Sequence, residues 1–256
     1  MRQHSSQQGP KLIEIIGPPG VGKSTIYSAL CESWNKNLKW VHQDLLLAPD
    51  NPGFVNIGGW LEYKLRGALG KRRPKSLAVD YGLRFINHNE KLASLCWNHL
   101  SDANDSKDMD KRFRSAYFLF SDFCRYQAIR EKANGKACLI EEGFLQKSFL
   151  ISSDEQAESP FIEKYLSLVP LPHAVFHINV SDNAVITNRL ENRSKVIASH
   201  LGKDTEGLLE ETEKWQRTQH LILQKLKEKN LRIFEINGEI AISENVHYMK
   251  NLLEEI

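Results

Sequence analysis

The 256-residue sequence lacks the features that mark several protein classes. It has no apolar run long enough to cross a bilayer, and its polar opening, MRQHSSQQGP, lacks the apolar segment of a secretory signal. Its four cysteines, Cys31, Cys96, Cys124 and Cys138, include no C-x-x-C pair, so we expect reduced thiols in or near the core. These absences predict a cytoplasmic protein that does not bind a membrane.

The chain as a whole also has no large excess of positive or negative charge. The formal net charge of +2 gives no general attraction toward nucleic acid or membrane. A local run does lack acids, since residues 64–75 include Lys64, Arg66, Lys71, Arg72, Arg73 and Lys75. Such a run is usually a solvated face, although it could receive an anionic acceptor or a nucleic-acid backbone. Few aromatic residues lie around it to stack on bases, so a nucleic-acid partner is not favoured.

Five short apolar runs predict the buried strands of a parallel sheet. They are Lys11–Ile16, Leu38–His42, Ala137–Ile140, Ala174–Val180 and Leu231–Ile236. Helical patterns separate these runs, and parallel neighbours need crossover connections. The sequence therefore predicts an α/β fold, a doubly wound five-stranded parallel sheet in one domain over residues 1–256.

The helical patterns complete this prediction. Apolar residues recur at steps of three and four from Phe113 to Arg130, and further helices are expected to begin near Ser181 or Asp182, to cover Leu208–Lys227 and to follow Ser243. Residues 45–112 show no clear strand. We interpret that stretch as a mostly helical insertion that could form an acceptor-binding cap.

The stretch GPPGVGKST follows the first predicted strand and opens a helix. Gly17, Gly22, Lys23 and Ser24 match the pattern G-x-x-x-x-G-K-[ST], in which backbone N–H groups and the helix N-terminus surround phosphates. Lys23 is expected to reach the β and γ phosphates, and Ser24 to bind Mg²⁺. The predicted nucleotide-binding residues are Gly17, Pro18, Pro19, Gly20, Val21, Gly22, Lys23, Ser24 and Thr25.

Two large nucleotide-binding classes are excluded by missing segments. The single NK pair, Asn35-Lys36, is not followed by the aspartate of the guanine-reading N-K-x-D motif. No segment like LSGGQ is present, which removes the transporter ATPases.

The remaining pattern resembles the nucleoside-monophosphate-kinase group of P-loop kinases, most closely its thymidylate kinase branch. Three segments carry the likeness: GPPGVGKST, residues 119–143 (LFSDFCRYQAIREKANGKACLIEEG) and residues 180–195 (VSDNAVITNRLENRSK). The resemblance implies that Arg125 holds the acceptor and that Glu141 or Glu142 supports magnesium or the acceptor. It also implies that Arg189 and Arg193 are lid arginines that neutralise the transferring phosphoryl group. The sequence departs from thymidylate kinases in having EEG where they have an acid-arginine pair.

Each of these residues also has a simpler interpretation. Arg125 could pair only with Asp122 one turn earlier, and the two lid arginines could be a solvated surface pair. Asp44 follows the second strand on the edge where ligands gather in open sheets. It could accept the proton of an acceptor hydroxyl or anchor the acceptor, or it could cap the next helix.

The sequence thus predicts an ATP- and Mg²⁺-dependent small-molecule kinase. Its acceptor is a nucleotide or nucleoside by resemblance, while a sugar or polyol stays open as an alternative. The catalytic candidates are Lys23, Asp44, Arg125, Glu141, Glu142, Arg189 and Arg193, and the metal ligands are Ser24 and Glu141. A regulatory protein with slow ATP hydrolysis is the rival from another class, and a homodimer is compatible with either.

Overall fold

A computed structural model gives the structure of the chain and describes residues 10–48, 57–58, 60–61, 65, 77–102, 109–148, 158–192 and 204–256. Five strands are described: β1 (Leu12–Ile16), β2 (Trp40–His42), β3 (Ala137–Ile140), β4 (Ala174–Asn179) and β5 (Arg232–Asn237). All pairings are parallel and the strand order is β2-β3-β1-β4-β5. The predicted fold class is confirmed, and each of the five predicted strands is present to within two residues at either end.

Ten helices connect the strands in the described part of the chain. They are α1 (Lys23–Glu32), α2 (Gln43–Leu46), α3 (Val79–His88), α4 (Glu90–Asp102), α5 (Met109–Lys132), α6 (Phe144–Lys147), α7 (Glu158–Leu168), α8 (Asn183–Glu191), α9 (Thr205–Glu228) and α10 (Ile242–Glu255). None of the described helices combines the length and apolar character needed to cross a membrane.

The helix starts follow the chemistry of their capping residues. Asp182 caps α8 as predicted, because its carboxylate accepts the Ala184 N–H at 2.8 Å. The last helix begins at Ile242 after Ala241, so the prediction that Ser243 caps it is wrong. The described residues between 45 and 112 are helical or irregular, in agreement with a helical insertion. The basic residues of the run at 64–75 lie outside the described residues.

The two faces of the sheet are covered by different helices. Successive side chains of β1 point to opposite faces of the sheet. Ile13 and Ile15 pack with α1 and α10 on one face. Ile16 packs on the other face with α3, α4, α5, α7 and α9. On the second face Phe85 of α3 stacks on Phe123 of α5 at 4.6 Å between ring centroids. Phe144, the first residue of α6, joins this aromatic cluster at 5.3 Å from Phe85. The cluster therefore anchors α6 beside the carboxyl end of β1, where the glycine loop from Gly17 to Gly22 begins.

Candidate functional site

The loop from Gly17 to Gly22 joins β1 to α1 and depends on glycine at two positions. Gly20 and Gly22 have φ angles of 84° and 108°, a region that residues with side chains rarely adopt. A Cβ on Gly20 would lie 2.8 Å from Cγ of Leu190, so the loop packs closely against α8 there. A Cβ on Gly22 would meet nothing within 4 Å, which leaves that side of the loop open to an approaching group.

The N-terminus of α1 is prepared for an anion. Its capping residue is Gly22, which has no side chain to accept the first N–H groups, and the first turn carries no acid. The helix dipole and these N–H groups attract negative charge. Ser24 and Thr25 are exposed in that turn, while Lys23 is buried and its Nζ donates to the carbonyl oxygens of Gly17 (2.7 Å) and Pro18 (3.0 Å). The N–H groups at the start of α1, the hydroxyls of Ser24 and Thr25, and the ammonium of Lys23 therefore all lie at the loop.

Gln146 of α6 holds the first glycine of the loop and was missed by the sequence analysis. The Gly17 N–H donates to its Oε1 at 3.0 Å, and its Nε2 donates to the Gly17 carbonyl at 3.1 Å. A second carboxamide, Gln219 of α9, donates to the same Oε1 at 3.3 Å. Gln146 is only 3% exposed. The sequence shows no clear signal for this role, because Gln146 lies next to two other polar residues, Lys147 and Ser148, in the short segment after the third strand.

Glu14 fixes α6 in turn. Its carboxylate, buried within β1, accepts the N–H groups of Gly143 (3.0 Å), Leu145 (3.3 Å) and Gln146 (2.7 Å). Burial raises the pKa of this carboxyl to about 7, although the three N–H donors and the charge of Arg125 oppose the rise. The sequence shows Glu14 as an acid inside an apolar strand, which indicates a buried contact. It does not show which groups the carboxylate would bind.

A group of charged side chains lies beside this contact, at the end of β3. Arg125 of α5 donates to the Asp122 carboxylate and to the Glu142 carbonyl oxygen, both at 2.6 Å. Lys147 forms an ion pair with the Glu142 carboxylate at 2.5 Å. Burial raises the pKa of Glu142, but the charges of Lys147, Lys23 and Arg125 outweigh it and lower the pKa below its usual value. Glu142 is therefore an ionised carboxylate that interacts electrostatically with the loop lysine.

Neighbouring Asp122 shows the opposite shift. Burial raises the pKa of Asp122, and it outweighs the stabilising charges of Arg125 and Lys147. The pair of Arg125 with Asp122, which was the simpler interpretation of this arginine, is present, and Arg125 also reaches the backbone of Glu142. Its role in holding the acceptor stays a prediction. Of the two adjacent acids, Glu142 carries the contacts described above. Glu141 is half-buried beside it, and its role as a magnesium ligand stays a prediction.

Arg189 contacts the backbone of the loop. Its two terminal nitrogens donate to the carbonyl oxygens of Val21 (3.1 Å) and Gly238 (3.0 Å). This side chain therefore connects the loop to the segment after β5, because α8 runs directly beside the loop. The role of Arg189 as a lid arginine that neutralises the transferring phosphoryl group stays a prediction. Its predicted companion Arg193 lies outside the described residues.

Asp44 lies beside two other side chains with ligand atoms. One of its carboxylate oxygens, a ring nitrogen of His42 and the Cys31 sulfur all lie within 4.8 Å of one another. Asp44 is close to His42 because α2 starts directly after that residue. The end of α2 also packs against α5, since Leu47 belongs to the same apolar cluster as Ala128 and Ile129. The role of Asp44 toward the acceptor stays a prediction.

A separate groove lies between α8 and α9. Its lining includes Asp182, Thr187 and Glu213, and all of the lining residues fall between 180 and 216. It therefore includes neither the loop nor the acids at the end of β3, and we place the candidate site at the loop.

Comparisons with known proteins give only distant likenesses. No family model matches the chain, and neither does any curated protein. Among solved structures, deoxyadenosine kinase from M. mycoides with bound dATP is 14% identical, with a TM-score of 0.47 over 94% of this chain and 98% of that one. Shikimate kinase from Bacteroides thetaiotaomicron is 13% identical, with a TM-score of 0.36 over 95% and 98%. These likenesses are too weak to carry an argument about activity. The parallel sheet and the glycine loop after its first strand are themselves the features of the P-loop fold.

The raised pKa of Glu14 predicts a pH dependence of stability. A carboxyl with a raised pKa in the folded state contributes stability that is present below its ordinary value of 4.5 and is lost as the pH rises through about 7. Between about pH 5 and about pH 8 the wild type should lose roughly 2 kcal/mol more unfolding free energy than Glu14→Gln. Urea denaturation at both pH values measures this. The exposed-site control Glu32→Gln should behave as the wild type, and parallel profiles for Glu14→Gln and the wild type would contradict the assignment.

The Gln146 contact predicts faster exchange of the loop amides. Gln146→Ala removes both hydrogen bonds to Gly17, at about 1 kcal/mol each, so amide hydrogen exchange across residues 12–22 should accelerate about tenfold or more. Gln127→Ala removes another buried glutamine, one that bonds Glu131 instead, and should leave the loop unchanged. Equal loop exchange in the two variants would show that Gln146 does not hold the loop.

Proposed function

We propose that the protein is an ATP- and Mg²⁺-dependent phosphotransferase that moves a γ-phosphoryl group to a small acceptor. One juxtaposition carries the proposal: a glycine loop with an uncapped helix N-terminus lies within electrostatic reach of an ionised carboxylate, Glu142, at the end of the neighbouring strand. A loop that only bound nucleotide would not need this carboxylate with its two cationic neighbours, Arg125 and Lys147.

The loop supplies the contacts for the donor nucleotide. The backbone N–H groups at the start of α1 face the phosphates, where the helix dipole adds positive potential. In the structure Lys23 donates to the carbonyl oxygens of Gly17 and Pro18. On binding, the ammonium would exchange these oxygens for those of the β and γ phosphates. Gln146 and Arg189 hold the loop backbone from two sides, so the loop is preorganised for this exchange.

The residues around the loop also fit Mg²⁺. This ion prefers oxygen ligands and retains several waters, and it needs only one or two protein groups. The exposed hydroxyl of Ser24 and a carboxylate from Glu141 or Glu142 are such groups. When bound, Mg²⁺ would neutralise charge on the phosphates.

The chemistry proposed for this chain is an in-line displacement. The acceptor hydroxyl oxygen forms a bond to the γ phosphorus, the bond from that phosphorus to the β–γ bridging oxygen breaks, and ADP leaves. Glu142, whose pKa is lowered, would take the hydroxyl proton. Arg125 and Lys147 hold Glu142 in place and provide positive charge beside the acceptor.

The acceptor class rests on the sequence resemblance, which favours a nucleoside or a nucleotide over a sugar or polyol. A regulatory protein with the same loop would bind Mg·ATP but would give no phosphorylated acceptor. Phosphorus NMR of Mg·ATP incubated with the full chain and panels of nucleosides, nucleotides, sugars and polyols distinguishes these outcomes. A new phosphoester signal with matching ADP supports transfer, whereas ADP with inorganic phosphate from every panel would favour the regulator.

Lys23 should be essential for the nucleotide. Lys23→Ala removes the one ammonium that the loop holds, and the loss of a charge-assisted phosphate contact should weaken Mg·ATP binding by at least about tenfold. Isothermal titration calorimetry measures the dissociation constant. Lys36→Ala, at an exposed position after α1, is the matched control and should bind as the wild type. Unchanged affinity in Lys23→Ala would refute the assignment of the loop.

The two acids after β3 should differ in their effects. Glu142→Gln keeps the shape of the side chain but removes the proton acceptor, so kcat should fall by about 10² or more while the Kd for Mg·ATP changes little. Glu141→Gln should act mainly on the magnesium concentration needed for activity if that carboxylate binds the ion. Steady-state kinetics across a magnesium series separates the two. A larger loss of kcat in Glu141→Gln at saturating magnesium would reverse the proposed roles.

A further inference from the structure

We propose that Cys31, His42 and Asp44 form a binding site for a divalent transition metal ion of the zinc class, separate from the site of phosphoryl transfer. The three residues come from three elements that meet at the edge of the sheet: the last turn of α1, the last residue of β2 and the first turn of α2. Cys31 lies eight residues after Lys23, which is about 12 Å along the helix. The cluster is therefore remote from the start of α1, where the phosphates are expected.

The geometry is close to that of a bound ion. The sulfur, the ring nitrogen and the carboxylate oxygen all lie within 4.8 Å of one another. Zinc bonds of about 2.0 to 2.3 Å in a tetrahedron place ligand atoms roughly 3.3 to 3.8 Å apart. The required inward movement is therefore about 1 Å. Cys31 and Asp44 are half-buried, so they can make it by side-chain rotation and leave a fourth position open to solvent.

His42 is positioned by aromatic neighbours. The Trp34 ring meets its imidazole edge-on at 5.8 Å between centroids, and the Tyr27 ring does so at 6.4 Å. Trp34 is itself fixed, because its Nε1 donates to the Trp40 carbonyl oxygen at 2.8 Å. The buried imidazole is thus held by two rings that belong to α1 and the segment after it. Such outer contacts orient the ligands of metal sites.

The donor set selects the class of metal. One sulfur, one imidazole nitrogen and one carboxylate oxygen suit zinc and its neighbours, whereas magnesium and calcium require oxygen ligands. Millimolar magnesium that accompanies ATP would therefore not fill this site. Filling of this site would therefore not depend on the magnesium that the proposed phosphotransferase activity requires.

Metal binding would change the start of α2. His42 Nδ1 accepts the Leu45 N–H at 3.3 Å, which places the proton of the neutral ring on Nε2. An ion on Nε2 requires the proton on Nδ1, and an ion on Nδ1 takes the lone pair directly. In either case the Leu45 N–H loses its acceptor. Occupancy of the site would therefore be linked to the conformation of α2, which leads into residues 45–112.

Cobalt titration of the reduced, untagged full chain tests the proposal. Co²⁺ is the probe because a thiolate ligand gives a charge-transfer band and a tetrahedral site gives intense visible d–d bands. One equivalent of Co²⁺ should produce both bands, and added Zn²⁺ should remove them by competition. No charge-transfer band in the wild type would overturn the site.

Three variants test whether the Co²⁺ signal comes from the proposed ligands. Cys31→Ser should lose the charge-transfer band, and Asp44→Asn should keep the band but bind Co²⁺ more than about tenfold more weakly. Cys124→Ala removes a buried cysteine of α5 and should bind as the wild type. Far-UV circular dichroism checks the fold of each variant. A charge-transfer band that persists in Cys31→Ser, or equal affinity in Asp44→Asn, would overturn the assignment.

Discussion

The candidate site depends on one buried carboxylate. Glu14 lies in the middle of β1 and accepts three backbone N–H groups from the turn that begins α6. That turn places the Gln146 carboxamide against both backbone groups of Gly17, and it sets Lys147 beside Glu142. The glycine loop and Glu142, the two parts of the proposed site, thus depend on the same contact. Its cost is a desolvated acid in the core, which is reflected in the raised pKa of Glu14.

Much of the fold was predictable from the sequence because its signals are local. The apolar runs predicted the five described strands, because side chains on both faces of such a strand are buried and are therefore mostly apolar. The loop was predictable in more detail, because the conformation of Gly20 and Gly22 and the uncapped start of α1 are requirements of phosphate binding. Asp182 was also found as a helix cap, since a cap interacts within its own turn.

The rest of the site was not predictable because it depends on contacts between distant parts of the chain. Glu14 and Gln146 are 132 residues apart, and no local pattern shows that one binds the backbone of the other. Arg189 contacts two backbone carbonyls, of Val21 and Gly238, that only the packing of α8 brings near, and its spacing from Arg193 did not reveal these partners. Asp44 was correctly placed after the second strand, but its position on a four-residue helix beside α1 decided what it contacts.

The most direct test of the central claim is a crystal structure of the full chain with Mg²⁺ and a non-hydrolysable ATP analogue. The account predicts the triphosphate at the N-terminus of α1, with Lys23 Nζ moved from the Gly17 and Pro18 carbonyl oxygens to the β and γ phosphates. It also predicts that the Gln146 contacts with Gly17 are retained and that the Glu142 carboxylate faces the γ phosphate. A nucleotide bound in the groove between α8 and α9, with Lys23 still on the loop carbonyls, would contradict it.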